Sequence, residues 1–167
     1  MPPSEALSAS AQLAVALAGF AGVVVAFRSR SVHEWTNIDK FRLRILLMNS
    51  GIPFALSLIG MMLLTANISP GGIWRYCSGF AFLLIWLAAM SYSKSFRRFS
   101  PEELVQAGSS RALFYSAAAI GSAVTLLQLY NAIMLNAFWP FFAAIAVLLM
   151  IAMLQFVRLV LISGELK

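Results

Sequence analysis

Five stretches of about 20 residues carry no charge in their central parts, and the basic residues fall mostly between them. They are residues 6–27, 45–66, 76–93, 112–134 and 141–162. About 20 helical residues cross a hydrocarbon core roughly 30 Å thick. In such a solvent each backbone N–H and C=O must find its partner within the segment, so each stretch is expected to be a helix. The expected fold is all-α, a polytopic integral membrane bundle of five transmembrane helices, with residues 1–167 as a single membrane domain. Composition agrees: 61% of the residues are hydrophobic and 11% charged, whereas a soluble domain has about 25% charged residues.

The basic residues orient the bundle. Arg28, Arg30, Lys40, Arg42 and Arg44 lie in connection 28–44, and Lys94, Arg97, Arg98 and Arg111 lie in connection 94–111. Arg158 and Lys167 belong to the C-terminal end, which leaves Arg75 as the one other basic residue of the 12. Retention of basic loops on the inner side puts both connections and the C-terminus in the cytoplasm, and the N-terminus outside. A five-span count places all three basic groups on one side; four or six spans would not. The net charge of +6 is therefore read as topology and contact with anionic headgroups, and nucleic-acid binding is not expected. The expected location is the plasma (inner) membrane. No Lys or Arg precedes the first apolar run, and that run continues to Phe27, so it is read as a retained span and not a cleaved signal.

Local signals sharpen the ends. Thr36 or Asn37 is placed to cap a helix that starts ahead of the second span and runs into it. Ser100, Pro101 and Glu103 form a capping-box pattern for a short interfacial helix in SPEEL, 100–104. Trp74, Tyr76, Phe138 and Trp139 sit where an outer aromatic belt is expected, and Pro140 suits the first turn of the fifth helix. In NSGIPFALS, 49–57, Pro53 frees the carbonyl of Asn49 and predicts a kink, with Ser50 and Ser57 at hand to answer the exposed groups.

Two patterns bear on assembly. Ser10, Ala14, Ala18, Gly22 and Ala26 recur every four residues, a small-residue face suited to close helix contact or to an oligomer interface. SAAAIGSA, 116–123, is a weaker version in the fourth span. The second pattern is polar. With about 1.5 Å of rise per residue from Ala112, Gln128 lies roughly 24 Å and Asn131 roughly 28 Å into the fourth helix. Gln12 falls at a similar depth on the first helix, and Thr65 and Ser78 lie near that level. Gln12, Gln128 and Asn131 thus read either as a helix-joining hydrogen-bond layer, with Gln12 opposite Gln128, or as the vestibule of a pore completed by symmetry copies.

No catalytic set is visible. The single histidine, His33, and the single cysteine, Cys77, are predicted at opposite surfaces, and the acidic residues are scattered. Neither a catalytic residue, a metal site nor a cofactor is expected, and the methionines read as packing. Ion-coupled carriers place an ionisable group within the membrane, and no such group appears in these spans. Two functions remain. The first is a homo-oligomeric channel whose mouth, lined by basic residues, prefers anions. The second is an accessory or anchoring subunit that docks a protein partner or lipid headgroups through Arg28, Arg30, Arg42, Arg44, Arg97 and Arg98.

Overall fold

A computed structural model describes residues 1–27, 32–66, 68–100 and 111–162. Among the described residues there is no strand. Five helices follow one another: α1 (Pro3–Phe27), α2 (Asn37–Leu64), α3 (Pro70–Phe96), α4 (Arg111–Tyr130) and α5 (Phe138–Ile162). A 3₁₀ turn, Val32–Glu34, precedes α2, and a π-helical turn, Asn131–Leu135, ends α4. Each of the five is long and apolar enough to cross a bilayer. The outward faces carry large apolar side chains, such as Leu126, Met150 and Leu154, each about 60% exposed. Water would penalise that surface and lipid would not.

Helix starts follow their local chemistry. Thr36 caps α2 and accepts a hydrogen bond from the Asp39 amide at 3.2 Å. The helix then runs unbroken from the charged connection into the apolar span, as the sequence predicted. Helix α3 begins six residues ahead of its expected span because Pro70 fits the first helical position, where no N–H is needed. Pro140 lies in the first turn of α5. The capping-box residues 101–104 lie outside the described residues, as do Arg28, Arg30 and Asn67.

Neighbouring helices alternate in direction. Arg44 near the start of α2 reaches Ser91 near the end of α3. Ser78 early in α3 meets Asn131 at the end of α4. Gly60 late in α2 lies against Leu7 of α1 and Phe141 of α5. The starts of α2 and α4 and the ends of α1, α3 and α5 thus share one end of the bundle, here the basic end. Helix α2 is central, with α1, α3 and α5 packed around it, while α4 sits against α3 and α5.

The inward seams mix steps of three and four. On α1 the buried positions include Leu7, Ala11, Ala14, Leu17 and Ala21; on α3 they include Trp74, Cys77, Ala81, Ile85 and Ala88. This is the spacing of a left-handed seam between nearly antiparallel helices. The four-residue stripe expected on α1 departs from that seam. Four residues turn a helix by about 400°, so each step drifts about 40°. Ser10 and Ala14 are buried and Ala18 is half-buried, but Gly22 and Ala26 have rotated to the exposed side. Within this chain the stripe is a contact face only in its first half.

Two other expectations change. Trp74 is buried rather than part of an outer belt. Its ring lies 4.7 Å from that of Phe138 and 6.1 Å from that of Phe141, locking α3 to α5. Tyr76 and Trp139 do face outward. Around Pro53, Asn49, Ser50 and Ser57 are all buried. Ser50 donates to the Leu46 carbonyl at 2.9 Å, one turn back, and the Ser57 hydroxyl has no protein partner. Neither serine answers the carbonyl of Asn49 that Pro53 leaves free.

Gly60 lies where side chains of α1 and α5 press close on α2. A Cβ there would lie 2.8 Å from Leu7 Cδ1 and 3.4 Å from Phe141. The Leu7 methyl can swing aside, and alanine gains up to about 1 kcal/mol of helix propensity over glycine. Gly60→Ala is therefore expected to leave stability in detergent nearly unchanged. Gly60→Leu drives two helices apart and should cost about 1–3 kcal/mol. Thermal denaturation of the two variants tests this; equal tolerance of both would mean that the close approach is not used.

Candidate functional site

Gln128 and Asn131 project from successive turns of α4 and are fully buried. The π turn at Asn131 is closed by the Asn136 amide donating to the Asn131 carbonyl at 2.9 Å, a five-residue step. Asn136 then adopts a left-handed conformation, φ 51° and ψ 38°, which asparagine tolerates better than most residues. This reverses the chain in two residues, and the Asn131 carboxamide fills the gap. Its Oδ1 accepts from the Ala137 amide at 3.0 Å, and its Nδ2 donates to the Ala137 carbonyl at 2.9 Å. The same Nδ2 donates to Ser78 Oγ at 2.6 Å, tying the turn to α3. One turn earlier, Gln128 Nε2 donates to the Pro140 carbonyl at 2.7 Å, while Gln128 Oε1 has no protein partner.

These bonds make a clamp that joins α3, α4 and α5. It matters because α4 is lightly held: 11% of its spanning window is buried, against 50% for α2. Its buried side chains among the described residues are Val124, Gln128 and Asn131. Gln12 takes no part. It lies exposed on α1, and the amide of Gln128 goes to a backbone carbonyl on α5 instead. The sequence placed Ser78 at the right depth; which polar groups meet depended on the rotation of each helix.

The basic residues divide as well. Arg42 belongs to the inward seam of α2 and is 3% exposed, so it is not part of the basic surface assigned to it from sequence. It pairs with Asp39 one turn back, N to O 3.5 Å, as a buried guanidinium requires. Arg44, Arg97 and Arg98 are exposed. Of these, Arg44 and Arg98 line a cleft with Asn37, Lys40, Phe41, Ser95 and Phe99, a hollow of about 330 Å³ that opens at the basic end. Arg97 does not line it. The cleft has two walls. Asn37, Lys40, Phe41 and Arg44 share one face of the first two turns of α2, at steps of three and four. Ser95, Arg98 and Phe99 form the matching edge where α3 ends. Phe41 holds the walls together, its ring 5.3 Å from Phe99 and 6.3 Å from Tyr92. The Arg44 guanidinium donates to Ser91 at 2.7 Å and the Lys40 ammonium to the His33 carbonyl at 2.9 Å, which holds both charged ends. The sequence signalled the cations but not their convergence, which needs α2 and α3 side by side.

A second hollow of about 320 Å³ lies between α1 and α2, lined by Ala14, Val15, Ala18, Gly19, Leu47, Ser50, Gly51 and Phe54. It is apolar and open to the side of the bundle. Among the described residues no three His, Cys, Asp or Glu side chains converge to hold a metal ion. The chain matches no protein-family profile, no curated protein and no solved structure.

The clamp predicts an order of effects. Asn131→Leu orphans Ser78 and the Ala137 amide, at about 1–3 kcal/mol for each buried group left unsatisfied. Gln128→Leu removes one interhelical bond and an already unpaired oxygen, so it should cost about 1 kcal/mol or less. Asn136→Gly should be tolerated, because glycine accepts the positive φ. Denaturant titration in mixed micelles checks the order; a larger loss for Gln128→Leu than for Asn131→Leu would place the centre of the clamp elsewhere.

Proposed function

We propose that this chain is a non-enzymatic integral membrane protein acting as an anchor or accessory subunit, which engages an anionic component through the basic ends of α2 and α3. The single observation behind the reading is the cleft. Lys40, Arg44 and Arg98 line one opening, with the charged ends of Lys40 and Arg44 held by hydrogen bonds. Scattered topology signals would have no reason to converge. In this reading the basic end is cytoplasmic and the N-terminus lies outside, as the distribution of Lys and Arg favours. The polar residues that would have served a pore, Gln128 and Asn131, are committed to the clamp, which weakens the case for conduction along them.

A homo-oligomeric, anion-preferring channel is the second reading, and one observation favours it. Among the described residues the outer faces of α1 and α4 are left largely uncovered. Gly22 and Ala26 of α1 are exposed, and so are Ala117, Ala118, Ala119, Ser122 and Ala123 of α4. Small side chains there would allow close approach of another copy.

One measurement tests the orientation that both readings share, and a second separates them. In a Cys77→Ser background, Ser93→Cys at the basic end should resist a membrane-impermeant thiol reagent in intact cells, while Ser69→Cys at the other end should react. The reverse pattern would sink the proposed orientation. Purified protein reconstituted into liposomes is expected to give no chloride or potassium flux above protein-free vesicles. Selective flux from correctly inserted protein would displace the accessory reading in favour of the channel.

A further inference from the structure

The level of the cleft along the bundle says more than its charge does. On α2 the cations end at Arg44, and large exposed apolar side chains begin at Leu47 and Met48. On α3 exposed apolar residues continue through Leu87 and Met90, and the cleft begins at Ser95. Both walls therefore change from lipid-compatible to charged within about two helical turns, roughly 10 Å. That is the level at which a bilayer places its phosphates, between hydrocarbon and water. The lining is itself two-sided: Lys40, Arg44 and Arg98 supply charge, and Phe41 and Phe99 supply apolar surface. A small soluble anion needs the first half only, whereas a phospholipid needs both.

We infer that the cleft between α2 and α3 binds the phosphate of an anionic phospholipid from the surrounding leaflet. Arg44 and Arg98 offer planar donors suited to phosphate oxygens and Lys40 a compact charge. Asn37 and Ser95 add neutral hydrogen-bonding groups. The acyl chains would then run down the bundle past Leu47 and Met48. The inference rests on reading the basic end as a membrane boundary, but it does not depend on sidedness or on conduction.

The test uses the full chain in nanodiscs of phosphatidylcholine with one-tenth phosphatidylglycerol, followed by release into detergent and native mass spectrometry. Wild-type protein should retain phosphatidylglycerol in preference to phosphatidylcholine. Removal of one cation should weaken that preference about fivefold, the value of one basic residue at an anionic surface. Arg98→Gln is the first variant, since among the described residues the Arg98 side chain makes no hydrogen bond that its loss would orphan. Arg98→Lys should keep most of the preference, which guards against a folding artefact. Arg75→Gln, at the opposite end, should leave it unchanged. Equal losses from Arg98→Gln and Arg75→Gln would reduce the effect to bulk charge and overturn the site. Equal retention of the two lipids by wild-type protein that nevertheless binds inorganic phosphate in an Arg98-dependent way would assign the cleft to a free anion and overturn the lipid reading.

Discussion

A backbone amide in hydrocarbon has no water to turn to, and five helices long and apolar enough to cross a bilayer fit that constraint. It makes the five apolar runs helical and leaves the connections as the places where the rule is hardest to meet. The turn between α4 and α5 is the sharpest case. Two residues reverse the chain there, and the Asn131 carboxamide takes the place of a helical neighbour, giving Ala137 both the acceptor and the donor that the reversal removes. The bond to Ser78 then spreads the solution to a third helix. A polar side chain inside an apolar protein is here part of the backbone's accounting.

Packing supplies the rest of the cohesion. Burial of apolar surface does not draw helices together when the surrounding solvent is equally apolar, so contact distance matters more. Gly60 lets α1 and α5 close on α2, and the Trp74, Phe138 and Phe141 rings fill the space between α3 and α5 near the same end. Phe41, Tyr92 and Phe99 serve α2 and α3 at the basic end. Helix α4 has few such contacts, which is why the clamp falls to it. Its outer face and that of α1 are the surfaces on which any assembly would draw.

The cleft is a consequence of the same packing. Once Phe41 brings the start of α2 against the end of α3, Lys40, Arg44 and Arg98 have little room to spread. Mutual repulsion among three cations costs stability unless something negative stands nearby. Among the described residues no acid lines the cleft, and Asp39, beside Lys40 in the sequence, is engaged with the buried Arg42. An anionic headgroup would relieve that repulsion, so the electrostatics and the proposed ligand follow from one arrangement.

The sequence by itself determined the five helices, the cap at Thr36 and the segregation of basic residues to alternate connections. Each is set by local composition: the run of apolar residues that a bilayer requires, and a side chain three residues from the amide it binds. Depth was legible too, because rise per residue is constant. Rotation was not. A helix of more than 20 residues accumulates large angular differences between a repeat of four and the true seam, so half of the α1 stripe faced outward. Arg42 turned inward, and Trp74 left the expected belt for the core. Only the tertiary structure decided that Asn131 would meet Ser78, that Gln128 would meet Pro140 and not Gln12, and that three cations would share one opening. Those pairings depend on which helices are neighbours and how each is turned, and both are properties of the whole bundle.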